Sequence, residues 1–260
     1  MHLNQLLEYI EKSEEQLIRK LSDFLKIPSI STDKNYAESC KDAAAWLVTE
    51  LSSMGFEAKS HSTNGHPIVL ATAGTASPHL LFYAHYDVQP TDPLDEWETP
   101  PFEPVIKDSK NGKIICARGA SDDKGQLLTF LNACEALINV NGKLPCKITI
   151  LIEGEEESGS PSLMPFILDK KQALEADHAL ICDTGMWDSQ TPTISTTLRG
   201  MLAEEVILSC ANKDLHSGMY GGPTINPIKE LSKLIASLHD KNGKVRIKNF
   251  YKDVPKTPKE

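Results

Sequence analysis

Apolar residues recur at helical spacing near the start of the chain, at Leu6, Leu7, Ile10, Leu17, Ile18, Leu21 and Leu25. That spacing predicts a helix over 4–26, ended by Pro28. A second helix is expected over 37–54, with Ala44, Leu47, Val48 and Leu51 on one face and Gly55 as its stop. Short strands are expected at 57–60 and 67–71. The continuous apolar run 79–84 reads as a buried strand feeding the polar sequence HYDVQP. The Pro-, Asp- and Trp-rich stretch 90–112 reads as an ordered loop, followed by a short strand at 114–117. A helix over 125–138, a strand over 146–152, a helix over 161–169 and a strand over 178–182 complete this part.

Such strand–helix alternation predicts the α/β class, with a mostly parallel sheet flanked by helices on both faces. The pattern changes near Thr193. A strand at 201–209, a Gly-rich loop DLHSGMYGG, a helix at 226–238 and a strand at 244–250 form a β-α-β run. This run reads as the opening of a second, smaller domain. The expected division is therefore 1–195 and 196–260.

Composition narrows the function classes. The formal net charge of −9 argues against nucleic acid or an anionic membrane as partner, since both favour basic patches. No run approaches the ~18–20 apolar residues of a membrane span. The amphipathic N-terminus has no signal-peptide core. Six cysteines are present and none form a CxxC pair, which suits buried free thiols in a reducing compartment. A cytoplasmic location is expected.

The acidic residues are not spread evenly. His85 and Asp87 lie in LLFYAHYDVQP, Asp122 in ARGASDDKGQ, Glu156 and Glu157 in EGEEESGS, and Asp183 in ALICDTG. Most of these segments begin apolar and finish polar or Gly-rich, so the residues fall where strands end. In an open α/β sheet the carboxyl ends of strands converge on one crevice. One imidazole with several carboxylates there suits Zn²⁺ or Mn²⁺. Each motif also has a plainer reading. Asp122 or Asp123 could cap the following helix. The glutamate run could be a solvated acidic loop. Asp183 could form a turn, and the glycines around His216 could serve an ordinary bend. The order and strand-end placement of the whole set favour the metal site.

Taken together, HYDVQP, SDDKG, EGEEESGS, CDTG and DLHSGMYGG resemble the M20 metallopeptidase family, and within it the dipeptidase branch that includes the carnosine dipeptidases. The resemblance implies two divalent metal ions, zinc ahead of manganese or cobalt. His85, Asp122 and Asp183 would hold one metal, with Asp122 bridging to a second held by Glu157. Asp87 would orient His85, Glu156 would be the general base, and His216 would stabilise the oxyanion. The family also implies a cis peptide bond between Asp122 and Asp123. The substrate implied is a dipeptide or short peptide, cleaved at its amide bond. The second domain would be the start of a ferredoxin-like α+β lid, through which the full-length protein pairs as a homodimer.

Family members are nearly twice this length and supply a further His ligand after the lid, so the chain is expected to be C-terminally truncated. Two other readings follow. One is an N-acyl or N-succinyl amino acid amidohydrolase with the same metal set. The other is an inactive fragment lacking the final His.

Overall fold

A computed structural model describes residues 3–110, 112–188 and 190–255. The chain divides into two compact units, Met1–Thr196 and Thr197–Glu260.

The first unit opens with helix α1 (Leu3–Leu25) and helix α2 (Ala37–Ser53), each within a residue or so of the range its apolar spacing predicts. Strands β1 (Glu57–His61), β2 (Ile68–Ala73) and β3 (His79–His85) follow. Next come β4 (Val105–Ser109), β5 (Gly112–Cys116), helix α3 (Lys124–Asn141) and β6 (Lys147–Glu153). Helices α4 (Leu163–Asp169) and α5 (Lys171–Leu174) lead to β7 (His178–Ile181). The five-stranded sheet has the order β1-β2-β6-β3-β7. Its β6–β3 and β3–β7 pairs are parallel, whereas β1–β2 and β2–β6 are antiparallel. The sheet is thus mixed, and the parallel half is the half that carries the site.

Side chains alternate across the strands, and each face has its own cover. Phe82, Ala84, Ile148, Ile150 and Ile152 pack with Leu47 and Leu51 of α2 and Leu127 and Leu131 of α3. Phe82 stacks on Phe130 with ring centroids 3.8 Å apart. On the opposite face Leu151, Leu81 and Tyr83 meet Phe166 and Leu174 from α4 and α5. At the end of α1, the buried Lys124 amine donates to the carbonyls of Phe24 (3.1 Å) and Ile27 (2.7 Å). It thereby satisfies acceptors that a helix C-terminus leaves open. Its nitrogen also lies 4.7 Å from the Phe24 ring centroid.

All six cysteines are free thiols. Burial pushes the Cys40 and Cys134 thiols up to about 12. Because the thiolate is the reactive form, both are expected to resist iodoacetamide at neutral pH in the folded protein. Exposed Cys210 is expected to be labelled. Peptide mapping checks this, and labelling of Cys40 as fast as Cys210 would contradict the packing of α2.

Two expectations for connecting segments need correction. The stretch 90–112 is not all loop, since β4 lies within it and pairs antiparallel with β5. Its sequence VIKDS has too few apolar residues to stand out from its polar surroundings. In the second unit, the strands expected at 201–209 and 244–250 do not form. A strand needs a hydrogen-bonded neighbour, and the described residues of this unit supply only the isolated bridges Gly221↔Thr224 and His239↔Val245. Met201 and Ile207 accordingly remain 87 % and 78 % exposed. The helices of this unit are α6 (Ser217–Tyr220) and α7 (Pro227–Ser237). Asn226 caps α7 by accepting from Lys229 N at 3.2 Å, with Pro227 just inside the helix. Among the described residues, no helix is long and apolar enough to cross a membrane.

Candidate metal centre

Parallel pairing sets the geometry of the site. Strands β3, β6 and β7 point the same way, so their carboxyl ends lie along one edge of the sheet. His85 is the last residue of β3 and pairs in register with Glu153, the last of β6. Asp183 follows β7 by two residues, and Asp122 precedes α3. The chain ends that carry chemistry are thereby gathered without any long excursion.

One ligand atom from each of His85, Asp122 and Asp183 lies within 4.8 Å of the others. His85 Nε2 is 3.1 Å from Asp122 Oδ1 and 3.6 Å from Asp183 Oδ2. Glu156 Oε2 stands 4.0 Å from the same nitrogen. The imidazole is fully buried, while the Asp122 side chain is 61 % exposed, so the group opens to solvent on its carboxylate side. The Asp122–Asp123 peptide bond is cis.

Behind the imidazole sits Asp87, also fully buried. His85 Nδ1 lies 3.3 Å from Asp87 Oδ1 and 3.1 Å from the Asp87 main-chain oxygen. A donor bond from Nδ1 to either acceptor leaves Nε2 as the free lone pair. The Asp87 carboxylate also accepts from Glu156 N at 3.2 Å and Glu157 N at 3.1 Å. One buried aspartate thus ties the end of β3 to the loop after β6. Glu157 stands beside Glu156 on that loop, and its Oε2 accepts from Gln89 Nε2 at 2.6 Å. It is not part of the three-residue ligand group. His216 lies in the second unit, where its Nδ1 accepts from Gly218 N at 3.1 Å.

The electrostatics are those of a site short of positive charge. Burial pulls the His85 imidazole down, but the Asp87 bond and the charges of Asp87, Asp123 and Glu156 outweigh it and push the group up to about 10. Burial pushes Glu156 above the usual carboxylate range, opposed by His85 and reinforced by Asp183, Asp87 and Asp122. Glu157 is raised by burial and by Asp122, against the Gln89 bond. Burial pushes Asp123 up to about 7, although it accepts from His85 N at 3.1 Å. Among the described residues, His85 is the only basic side chain in ion-pair reach of Asp122, Glu156 or Asp183. Asp123 Oδ1 and Glu153 Oε2 are buried without a hydrogen-bond partner. An imidazole nitrogen among convergent carboxylate oxygens fits a divalent cation such as zinc. Its positive charge would satisfy what the protein itself leaves uncompensated.

The sequence pattern did not separate the four glutamates of the EGEEESGS loop. Glu153 is buried, and its Oε1 accepts from the Tyr83 hydroxyl (2.6 Å) and Ser160 Oγ (2.8 Å). Glu155 is buried as well and bonds to main chain. Neither role shows in the composition of the run. The one available signal was placement, since Glu153 closes an apolar strand and so had to be buried.

Residues 81–257 match the peptidase family M20/M25/M40. The chain belongs to this family. It is 33 % identical to the Cys-Gly metallodipeptidase DUG1 of Candida albicans, over 99 % of this chain and 56 % of the relative. Among solved structures, it resembles the M20 family metallo-carboxypeptidase Sso-CP2 of Sulfolobus solfataricus. That match has a TM-score of 0.73 and 35 % identity, covering 93 % of this chain and 54 % of the other. Human carnosine dipeptidase 1 is similar with a TM-score of 0.74 and 26 % identity, covering 98 % of this chain and 56 % of the other. The chain spans about half the length of the relatives it matches.

Proposed function

We propose that this chain carries the catalytic metal site of a dipeptidase that hydrolyses the amide bond of dipeptides or short peptides. The observation that carries the reading is the His85–Asp122–Asp183 group with Glu156 Oε2 at its rim, 4.0 Å from His85 Nε2. Relatives named for action on Cys-Gly and on beta-Ala-His support the substrate class.

In this reading His85, Asp122 and Asp183 would hold one zinc ion, and Glu157 would be a ligand toward a second. Bound metal supplies water of lowered pKa and polarises the substrate carbonyl. Asp87 keeps His85 in the tautomer that presents Nε2, and it fixes the Glu156 amide. Glu156 Oε2 accepts the proton of the attacking water and returns it to the leaving amine. His216, on the lid unit 196–260, is the donor toward the developing oxyanion, supplied across a homodimer. Free thiols at all six cysteines support a reducing, cytoplasmic setting.

Two measurements test this. After zinc loading and desalting, the protein is expected to retain one tightly held zinc ion per chain, lost in His85→Ala, with any second ion held more loosely. Retention of none would sink the metal assignment. In a panel of dipeptides against N-acyl and N-succinyl amino acids, the dipeptides are expected to be cleaved. Cleavage of the acylated compounds alone would replace the dipeptidase with an amidohydrolase.

A further inference from the structure

The loop that carries Glu156 is held from two sides, and only one of them belongs to the metal group. On that side Asp87 accepts from the amides of Glu156 and Glu157. On the other is Glu155, only 5 % exposed. Among the described residues no lysine or arginine lies within ion-pair reach of it, and its carboxylate is met by main chain instead. Its Oε1 accepts from His66 N at 3.2 Å and its Oε2 from Ser162 N at 3.0 Å. Hydrogen bonds to an ionised acceptor are the strong kind. These two come from separate segments, the turn before β2 and the start of the segment that leads into α4.

The fit is close. A Cβ at Gly65 would collide with Glu155 Oε1, so any larger residue there would have to push the carboxylate aside. The main-chain oxygen of Glu155 accepts from Ser158 N (3.0 Å), Ser158 Oγ (3.1 Å) and Ser160 N (2.8 Å). These bonds close the loop into a single short turn. The receiving segment is itself anchored. His66 Nε2 bonds the Ser31 carbonyl at 3.0 Å, Thr63 Oγ1 bonds the His66 carbonyl at 2.7 Å, and the Tyr86 hydroxyl bonds the Pro67 carbonyl at 2.8 Å. Tyr86 is fully buried and directly follows His85.

We infer that Glu155 is a positioning residue for Glu156, clamping the catalytic loop to the Gly65–His66 turn so that the neighbouring carboxylate is presented at His85. This rests on the assignment of Glu156 as proton acceptor. Glu155 touches neither the ligand group nor the substrate side of the site. Its effect passes through one peptide bond and the short turn it caps.

The test uses the 260-residue chain with Glu155→Met, which keeps the bulk and removes both acceptors, and Glu155→Gln, which keeps one. In Glu155→Met, amide hydrogen exchange at His66 and Ser162 is expected to rise about tenfold or more, and at Glu156 and Glu157 about fivefold. Affinity for the zinc ion assigned to His85, Asp122 and Asp183 is expected to stay within about twofold, since none of the three is bonded to Glu155. On a dipeptide, kcat is expected to fall about tenfold with KM within about twofold, because a small misplacement of a reacting group costs rate rather than binding. Glu155→Gln is expected to recover part of both effects, and it carries the exchange measurement if the methionine variant does not fold. Unchanged exchange at Glu156 and Glu157 would overturn the inference. So would a loss of zinc affinity as steep as the gain in exchange. If the wild-type chain binds zinc but turns over no dipeptide, the function reading fails. The clamp is then still decided by the amides of Glu156 and Glu157.

Discussion

Replacing Glu156 with alanine is expected to lower kcat on a dipeptide by a factor of about 10²–10⁴, the range for losing a positioned general base. Zinc content is expected to be unchanged. Two observations separate the roles. The compact ligand group is His85, Asp122 and Asp183, and Glu156 is outside it, with its Oε2 4.0 Å from His85 Nε2. The backbone at 156 is held independently, through the bond from its amide to Asp87 at 3.2 Å. Truncating the side chain therefore removes the proposed proton acceptor without releasing the loop. Glu156→Gln keeps the shape and loses the basicity, so it is expected to be as inactive as the alanine variant. Zinc per chain is measured beside kcat. Loss of zinc in either variant would make Glu156 a ligand and leave the proton-transfer role without a holder.

How far the sequence could be read follows from which interactions each element depends on. Helices α1, α2 and α3 and strands β3 and β6 were legible because their apolar spacing is long, regular and resolved by burial within one unit. Strand β4 escaped, since five residues with three polar positions differ little from a structured loop. The strands expected at 201–209 and 244–250 show the converse. Their apolar content suits strands, but pairing is non-local, and a pattern cannot say whether a partner strand lies within the same unit. The mixed sheet has the same origin. Strand–helix alternation suggests parallel pairing, yet β1 and β2 follow one another with no crossover helix and so pair antiparallel.

Within the site, residue type and strand-end position pointed to His85, Asp87, Asp122, Glu156, Glu157 and Asp183 as a set, and the structure brings ligand atoms of His85, Asp122 and Asp183 together. What the run EGEEESGS could not reveal is the division of labour among its acids. Glu153 and Glu155 differ from Glu156 and Glu157 only in where the turn aims them, and that depends on Tyr83, Ser160, His66 and Ser162. Those partners are 70, 7, 89 and 7 positions away along the chain. Lys124 was hidden for a related reason. A lysine at a helix start reads as solvated, and only the closeness of the α1 carbonyls explains its burial.

Asp87→Asn tests the layer beneath the ligands, and here the expected effects are on metal affinity and stability together. Three donors converge on this fully buried carboxylate: His85 Nδ1 at 3.3 Å, Glu156 N at 3.2 Å and Glu157 N at 3.1 Å. Asparagine offers one carbonyl oxygen and one NH₂ group, so at least one backbone N–H would face another donor. Removing one side of a buried, charge-assisted set costs about 3 kcal/mol or more. Thermal unfolding of the metal-free variant is therefore expected to fall by roughly 10 °C for a unit of this size. The negative charge that holds the His85 N–H is lost as well, so zinc affinity is expected to drop about 10–100-fold, the usual cost of losing a ligand's supporting carboxylate. Calorimetric zinc titration at a temperature where both proteins are folded separates the two effects. A lower unfolding temperature with unchanged zinc affinity would confine Asp87 to holding the loop, and the Asp87 main-chain oxygen, 3.1 Å from His85 Nδ1, would then be what orients the imidazole.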